Sequence, residues 1–202
     1  MKRWLILLCL AVAAQASVVV TYNNLGSSTD FNSGFFAGGP QADSFLSPAG
    51  NFSLTGVQVK LRGEPDSPFT VSVDLVSAPN TTPLLHIGTI DSDALTFPAY
   101  IDFSFSPARF VLEPDHRYWI EVSRTPPLPF SIENSTTLQW GASLDQTAAG
   151  VSGEFFFNRD EMFSNQFGPY QMQVELGVNP EPASWLLLGS GLLLVFCYAR
   201  RK

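Results

Sequence analysis

The chain has 202 residues, of which 45% are hydrophobic and 14% are charged, and its formal net charge is −7 at pH 7. An acidic chain repels phosphate backbones, which argues against a nucleic-acid partner, and its length suffices for one domain with a sizeable core. Its two cysteines, Cys9 and Cys197, lie in the apolar segments at the two ends. The interior therefore has neither a disulfide framework nor a cysteine nucleophile.

The N-terminus has the layout of a secretory signal peptide. A basic pair, an apolar segment and two small residues follow one another: Lys2 and Arg3, then 4–13, then Ala14 and Ala16. This order predicts a signal peptide over 1–16, with the exported chain beginning at Ser17. Cys9 has no lipobox around it, so a lipoprotein anchor is not expected.

The segment between the two apolar ends is more acidic than the whole chain. Six Lys or Arg and seventeen Asp or Glu lie within 17–179, which gives a net charge of −11. Such a charge suits a solvated extracellular protein and disfavours binding to an anionic membrane surface.

Hydrophobic alternation predicts strands through most of this segment. Apolar and polar residues alternate with a period of two over four windows: 69–75, 101–105, 118–122 and 172–178. In a fifth window, Phe52 and Leu54 have one parity, whereas Val57 and Val59 have the other. Gly56 lies at the change of phase, where a β-bulge would return all of these side chains to one face.

Turn residues separate the predicted strands and complete the prediction of the fold. Proline stands beside a turn-forming acid or amide in three segments: 63–66, 77–80 and 113–115. No window longer than ten residues in the interior has a convincing helical period. Short strands with frequent turns predict one all-β domain over 17–179, an antiparallel β-sandwich or jelly roll.

The same interior contains motifs that resemble the choice-of-anchor extracellular domains, most closely the R type. The motifs are 42–45, then 52–61, then 117–122, with Trp140 placed where such domains tend to have a tryptophan. The segment 71–79 departs from that pattern, since a more glycine-rich strand and turn are usual there. The resemblance implies a β-rich surface module without known catalytic residues.

Residues that could perform chemistry are few. His86 and His116 are the only histidines and are thirty positions apart, so neither forms a zinc motif with the other. Asp91 with Asp93, and Asp160 with Glu161, could offer carboxylates to calcium, but neither pair has the spaced ligands of an EF-hand loop. We expect solvated turn acids at these positions, no metal, no cofactor and no catalytic residues.

Two tryptophans are candidates for glycan contact, because an aromatic ring can pack against a sugar. Trp119 has the parity opposite to Tyr118 and Ile120, so it either faces outward or fills the second side of a strand buried on both faces. Trp140 is the second candidate, and core packing is the alternative for both. Three glycosylation sequons, beginning at Asn51, Asn80 and Asn134, are interpreted as turn residues.

The C-terminus has the layout of a sorting signal. Three parts follow one another over 180–202: Pro180, Glu181 and Pro182, then the apolar segment 183–199, then Arg200, Arg201 and Lys202. Seventeen helical residues at about 1.5 Å each approach the lower limit for crossing a bilayer. The terminal cations predict that this end stays in the cytoplasm, with the preceding domain outside.

This tail closely resembles the PEP-CTERM sorting signal of exopolysaccharide-producing Gram-negative bacteria. The resemblance implies that an exosortase in the inner membrane recognises the motif 180–182 and processes the chain for the cell surface or the extracellular matrix. It also implies a transient anchor at 183–199 and leaves open whether the tail is cleaved or retained.

Two classes of function remain open from the sequence. The first is a non-enzymatic surface or matrix protein with a structural, adhesive or exopolysaccharide-contacting role. The second is a secreted hydrolase that acts on matrix polysaccharide, since paired carboxylates need not be close in sequence. The lack of a recognisable catalytic motif favours the first class.

Overall fold

A computed structural model of the chain describes residues 18–26, 31–34, 40–64, 68–126, 138–142, 155–158, 161–164 and 170–178. These residues form thirteen β-strands and one turn of 3₁₀ helix, Ser92–Ala94. Within them, no helix is long and apolar enough to cross a bilayer. The predicted signal peptide at 1–16 and the predicted span at 183–199 lie outside the described residues.

The strands belong to two sheets. The first sheet contains β1 (Val18–Asn23), β2 (Phe31–Gly34), β4 (Phe52–Gly63), β7 (Ile101–Phe105), β8 (Phe110–Leu112), β10 (Leu138–Ala142) and β13 (Met172–Val178). The second sheet contains β3 (Gln41–Leu46), β5 (Thr70–Val76), β6 (Leu85–Asp91), β9 (Arg117–Thr125), β11 (Phe155–Asn158) and β12 (Glu161–Ser164). All described pairings are antiparallel, which confirms the predicted all-β class.

The long strand β4 organises the first sheet. Along one side it pairs with β13 and then with β10, and along the other side with β8 and then with β7. The sheet continues beyond β13 to β1 and beyond β10 to β2. The second sheet runs in the order β12, β11, β3, β9, β5 and β6.

One hydrophobic core joins the two sheets. Val71, Val73 and Leu75 of β5 pack in the same buried cluster as Val57 and Val59 of β4. All five side chains are fully buried. Thr70 and Ser72, which alternate with the valines along β5, are only half-buried. Each fully buried aliphatic side chain of this size contributes about 1.5–3 kcal/mol, so the alternation stabilises the two sheets directly.

The bulge predicted in β4 is confirmed. Glu175 of β13 pairs with Gly56, and the next residue, Leu176, pairs with Leu54, so Thr55 is the extra residue. The insertion brings Leu54 and Val57 to the same buried face despite their opposite parity. A Cβ at Gly56 would lie 2.7 Å from Glu175 Oε2, so a larger residue there would displace the Glu175 side chain.

Two of the three predicted turns are described in full. The turn after β5 contains Asn80 with φ of 58°, and the turn before β9 contains Asp115 with φ of 52°. Asn and Asp tolerate this left-handed conformation better than other non-glycine residues. In the third predicted turn, 63–66, residues 65 and 66 lie outside the described part of the chain.

A polar network crosses the core between the sheets. Asp43 of β3 is fully buried and accepts a hydrogen bond from Ser44 N at 2.8 Å and one from Tyr22 Oη of β1 at 3.4 Å. Asn24 Nδ2 donates to Tyr22 Oη and to Tyr170 O. Burial raises the pKa of the Asp43 carboxyl well above its ordinary value, although backbone hydrogen bonds from Ser44 and Tyr170 oppose that rise.

Candidate functional site on the outer face of the second sheet

Both candidate tryptophans are buried, which agrees with the alternative of core packing and not with glycan contact. Trp140 is fully buried, its Nε1 donates to Gln171 O at 2.9 Å, and its ring stacks on Tyr170 with centroids 4.7 Å apart. Trp119 is only 4% exposed and packs with Ala42 in a small cluster on the outer face of the second sheet. Neither indole presents a free face to a sugar.

An exposed aromatic ring occurs elsewhere in the described part of the chain. Phe97 is 46% exposed, and the Arg62 guanidinium lies 5.2 Å from its ring centroid. The same guanidinium lies 4.5 Å from the ring centroid of Tyr100. Sequence reasoning did not single out this cluster, because Arg62 of β4 is distant in sequence from the loop that contains Phe97 and Tyr100.

The two histidines make separate sets of contacts. His86 in β6 bonds to Asp74, while the His116 ring makes an edge contact with Tyr118 and lies 3.8 Å from Glu113. No group of three or more metal-binding side chains occurs among the described residues. Of the acidic pairs, Asp91 ends β6 and Asp93 lies in the 3₁₀ turn, whereas Asp160 is outside the described residues and only the backbone of Glu161 is described.

The strongest candidate site is a polar stripe along the outer face of the second sheet. We define the polar stripe as nine residues of three neighbouring strands: Thr70, Ser72 and Asp74 of β5, His86, Thr89 and Asp91 of β6, and Glu121, Ser123 and Thr125 of β9. The strand register aligns them in three rows: Thr125–Thr70–Asp91, Ser123–Ser72–Thr89 and Glu121–Asp74–His86. They alternate with core residues, so they face away from the first sheet.

A bulge in β6 completes the stripe. Val73 pairs with Gly88 and the next residue, Asp74, pairs with His86, so Ile87 is the extra residue. Because of this insertion, His86 and Thr89 lie on one face although they are three positions apart. A Cβ at Gly88 would lie 2.4 Å from the Phe105 ring, so close packing of the sheets there requires a glycine.

The row at one end is a hydrogen-bonded acid–histidine cluster. Asp74 Oδ1 lies 2.7 Å from His86 Nδ1, and His86 Nε2 lies 3.1 Å from Thr89 Oγ1. The turn after β5 covers this end, since Asn80 N donates to Glu121 Oε2 at 2.8 Å. Asp74 and Glu121 are each only 7% exposed.

The two acids of this row lie side by side, and the Asp74 carboxylate affects the pKa of Glu121. Burial raises the pKa of the Glu121 carboxyl above its ordinary value, the hydrogen bond from Asn80 opposes the rise, and the Asp74 carboxylate adds to it. The arrangement favours a proton at Glu121 at a higher pH than an exposed glutamate would hold one. Chemically, the row can accept and donate hydrogen bonds and can hold a proton.

The row at the other end opens into a pocket of about 570 Å³. Its lining comes from the start of β5, the end of β6 with the 3₁₀ turn, and the end of β9: Pro68, Phe69, Thr70, Asp91, Ser92, Asp93, Thr125 and Pro126. This volume is within the range of about 300–1,000 Å³ that is typical of small-ligand sites. The structure therefore places the predicted pair Asp91 and Asp93 at a concave surface.

Sequence reasoning found part of this site and missed the rest. It named Asp91, Asp93 and His86, but it treated Asp74 and Glu121 only as the polar members of alternating strands. The available signal was that Asp74 and Glu121 have the same parity as the threonines and serines of their strands. Residues of one parity lie on one face, so the outward-facing residues of paired strands form one surface. Which strands are neighbours could not be read from the alternation.

The predicted export signals are not described structurally. The residues of the signal cleavage site, the sorting motif and the basic end lie outside the described part of the chain: Ala14, Ala16 and Ser17, then Pro180, Glu181 and Pro182, then Arg200, Arg201 and Lys202. No protein-family model matches the chain, and the search of curated proteins gives no match.

Proposed function

We propose that the chain is an exported, non-enzymatic protein of the cell surface or extracellular matrix that contacts exopolysaccharide. In this proposal the two sheets are an antiparallel sandwich or jelly-roll module of the choice-of-anchor kind. The signal peptide at 1–16 directs export, and an exosortase recognises the PEP-CTERM tail at 180–202. The layout of the two ends and the all-β domain between them support the export route.

The polar stripe is the observation that carries the glycan contact. Its exposed half presents the side chains of Thr89, Asp91 and Thr125 next to the pocket. Hydroxyl and carboxylate oxygens match the hydroxyl groups of sugars, because each sugar hydroxyl both donates and accepts hydrogen bonds. Open polar surfaces of this kind suit a hydrated, hydroxyl-rich polymer better than an apolar ligand.

Sorting is tested by replacing Pro180, Glu181 and Pro182 with alanine in the producing cell. We expect the variant to remain in the inner membrane with the intact mass of a precursor that retains its tail. A flanking substitution, Ser184→Ala, is the matched control and should leave export unchanged. Normal release of the triple variant would show that the tail is an ordinary membrane anchor.

One observation favours the alternative of a hydrolase acting on matrix polysaccharide. Asp74 and Glu121 are directly opposite each other on paired strands, and a raised glutamate pKa is suited to a general acid. Against it, both residues are almost buried and a backbone N–H occupies one oxygen of Glu121.

Binding and turnover are separated by assaying the full-length chain in mild detergent on a glycan array and in a hydrolysis screen. Our proposal predicts retention of a glycan without product. Release of product that Glu121→Gln abolishes, with the fold retained, would establish the hydrolase instead. The exposed acid Glu113 provides the control variant, Glu113→Gln, for the loss of one charge.

A further inference from the structure

The pocket at the end of the polar stripe has a mixed lining with a net negative charge. The carboxylates of Asp91 and Asp93 are exposed at its rim. Thr70 and Thr125 supply hydroxyl groups and are paired residues of the neighbouring strands β5 and β9. No lysine or arginine is among the eight lining residues.

Ser92 gives the pocket a fixed polar group. It is only 7% exposed, its N–H donates to Phe69 O at 3.0 Å, and its Oγ accepts from Phe69 N at 3.3 Å. These bonds hold the 3₁₀ turn against the start of β5. The hydroxyl proton of Ser92 takes no part in either bond, so a ligand oxygen in the pocket can accept it.

The nearest cation on β9 lies over Phe69, which is one of the residues that line the pocket. Arg124 has the opposite parity to Thr125, and its guanidinium lies 4.2 Å from the centroid of the Phe69 ring. Arg124 has the parity of the core residue Val122. Thr125, Thr70 and Asp91 form one row on the opposite face of the sheet.

These groups define the charge of a suitable ligand. Sugar hydroxyl groups can bond to the threonine and serine hydroxyls, and the apolar ring faces of Pro68 and Pro126 can pack against the C–H face of a sugar. An ammonium group supplies three donors, which ionised carboxylates accept in charge-assisted hydrogen bonds. A uronic acid would instead place a carboxylate against two others, which is unfavourable.

We infer that this pocket binds a hexosamine residue with a free amino group, as in a de-N-acetylated polysaccharide. The inference rests on the proposed function and deepens it, since it specifies the class of glycan. The sugar ring lies between Pro68 and Pro126, and its ammonium group lies at Asp91 and Asp93. Acetylation of the amine removes both the charge and two of its donors.

The test is calorimetric titration of the full-length chain in mild detergent with three short oligosaccharides. These are a glucosamine oligomer, its N-acetylated counterpart and an oligomer of uronic acid. We expect the glucosamine oligomer to bind most tightly. Loss of one charge-assisted hydrogen bond in Asp91→Asn or Asp93→Asn should weaken it about tenfold to a hundredfold.

Two controls separate a pocket from general attraction to an acidic protein. Glu113→Gln removes one charge at the opposite end of β9 and should leave the affinity unchanged, whereas Thr125→Val tests the pocket without altering charge and should weaken binding. Melting curves verify that each variant is folded. An equal effect of Glu113→Gln and Asp91→Asn would overturn the inference.

The outcomes also distinguish this inference from the proposed function. Equal or tighter binding of the N-acetylated or uronic oligomer would overturn the amino-sugar assignment and retain the contact with glycans. Failure of all three oligomers and of the glycan array would overturn both.

Discussion

Asp43 is an ionisable side chain in a core that is otherwise largely apolar. Its carboxyl joins the two sheets through Tyr22, and Ser44 N donates to its other oxygen. A buried charge is unfavourable, and burial accordingly raises the pKa of Asp43 despite these bonds. Asp43 gives the core a specific polar contact, but it also makes the free energy of unfolding depend on pH.

The pH dependence has a definite sign. Below the ordinary aspartate pKa of about 3.9, both folded and unfolded chains hold the proton. As the pH rises above this value, the unfolded chain ionises while folded Asp43 keeps its proton up to its higher pKa, so Asp43 lowers the free energy of unfolding over that interval.

Asp43→Asn should remove this loss of stability. We predict that the free energy of unfolding of the variant, minus that of the wild type, increases as the pH rises from about 3.9 toward neutrality. Urea denaturation at a series of pH values measures the difference, in which the effects of other carboxylates cancel. A difference that stays constant or decreases with pH would contradict the assignment.

At the scale of single elements, two bulges decide which side chains share a face. Thr55 in β4 and Ile87 in β6 are each an extra residue in an antiparallel pair. The first keeps the apolar residues of β4 on the core side, and the second puts His86 beside Thr89 on the outer face. Gly56 made the first bulge predictable, since a glycine at a phase change is a local signal.

Deletion of Thr55 should leave a folded chain, because Leu54 and Gly56 then become consecutive and pair with Leu176 and Glu175 in an unbroken ladder. Leu54 and Val57 would be two positions apart and would still share the buried face. The matched control, Thr55→Ala, keeps the bulge and loses only the hydrogen bond from Oγ1 to Glu175 O, so we expect a cost of about 1 kcal/mol.

Thermal unfolding followed by circular dichroism compares these two variants. We predict a cooperative transition for both variants. Loss of the transition in the deletion alone would mean that the bulge itself is required for the packing of β4.

At the scale of the whole molecule, the two ends of the domain meet in the first sheet. The last described strand, β13, lies between β1 and β4, and it therefore pairs with both the first strand and the longest one. Its side chains Met172, Val174 and Leu176 are fully buried. The first sheet is thus incomplete until almost the whole domain has been synthesised.

Truncation tests this dependence. A chain of 17–179 should fold, because it contains all thirteen described strands, whereas a chain of 17–170 lacks β13 and should lose the cooperative transition. Removing three fully buried side chains exceeds the total stability of about 5–15 kcal/mol when the paired backbone of β13 is lost with them. A cooperative transition in the shorter chain would show that β13 is an accessory strand.

The sequence by itself determined the all-β class, several strands, the bulge in β4 and the turns at Asn80 and Asp115. These features depend on local signals, namely the two-residue period, a glycine at a phase change and turn-forming side chains. It also supplied the hypotheses of export, exosortase sorting and a surface role, which remain proposals. It left open whether Trp119 and Trp140 are buried.

Only the tertiary structure decided that both tryptophans are covered and that β5, β6 and β9 align their polar residues into one stripe. It also placed Asp91 and Asp93, which are exposed at and beside the 3₁₀ turn, in the lining of a pocket. The physical reason is that strand neighbours, register and coverage of the second face result from contacts between residues distant in sequence. Alternation specifies two faces of a strand, but the packing of the whole chain determines what each face meets.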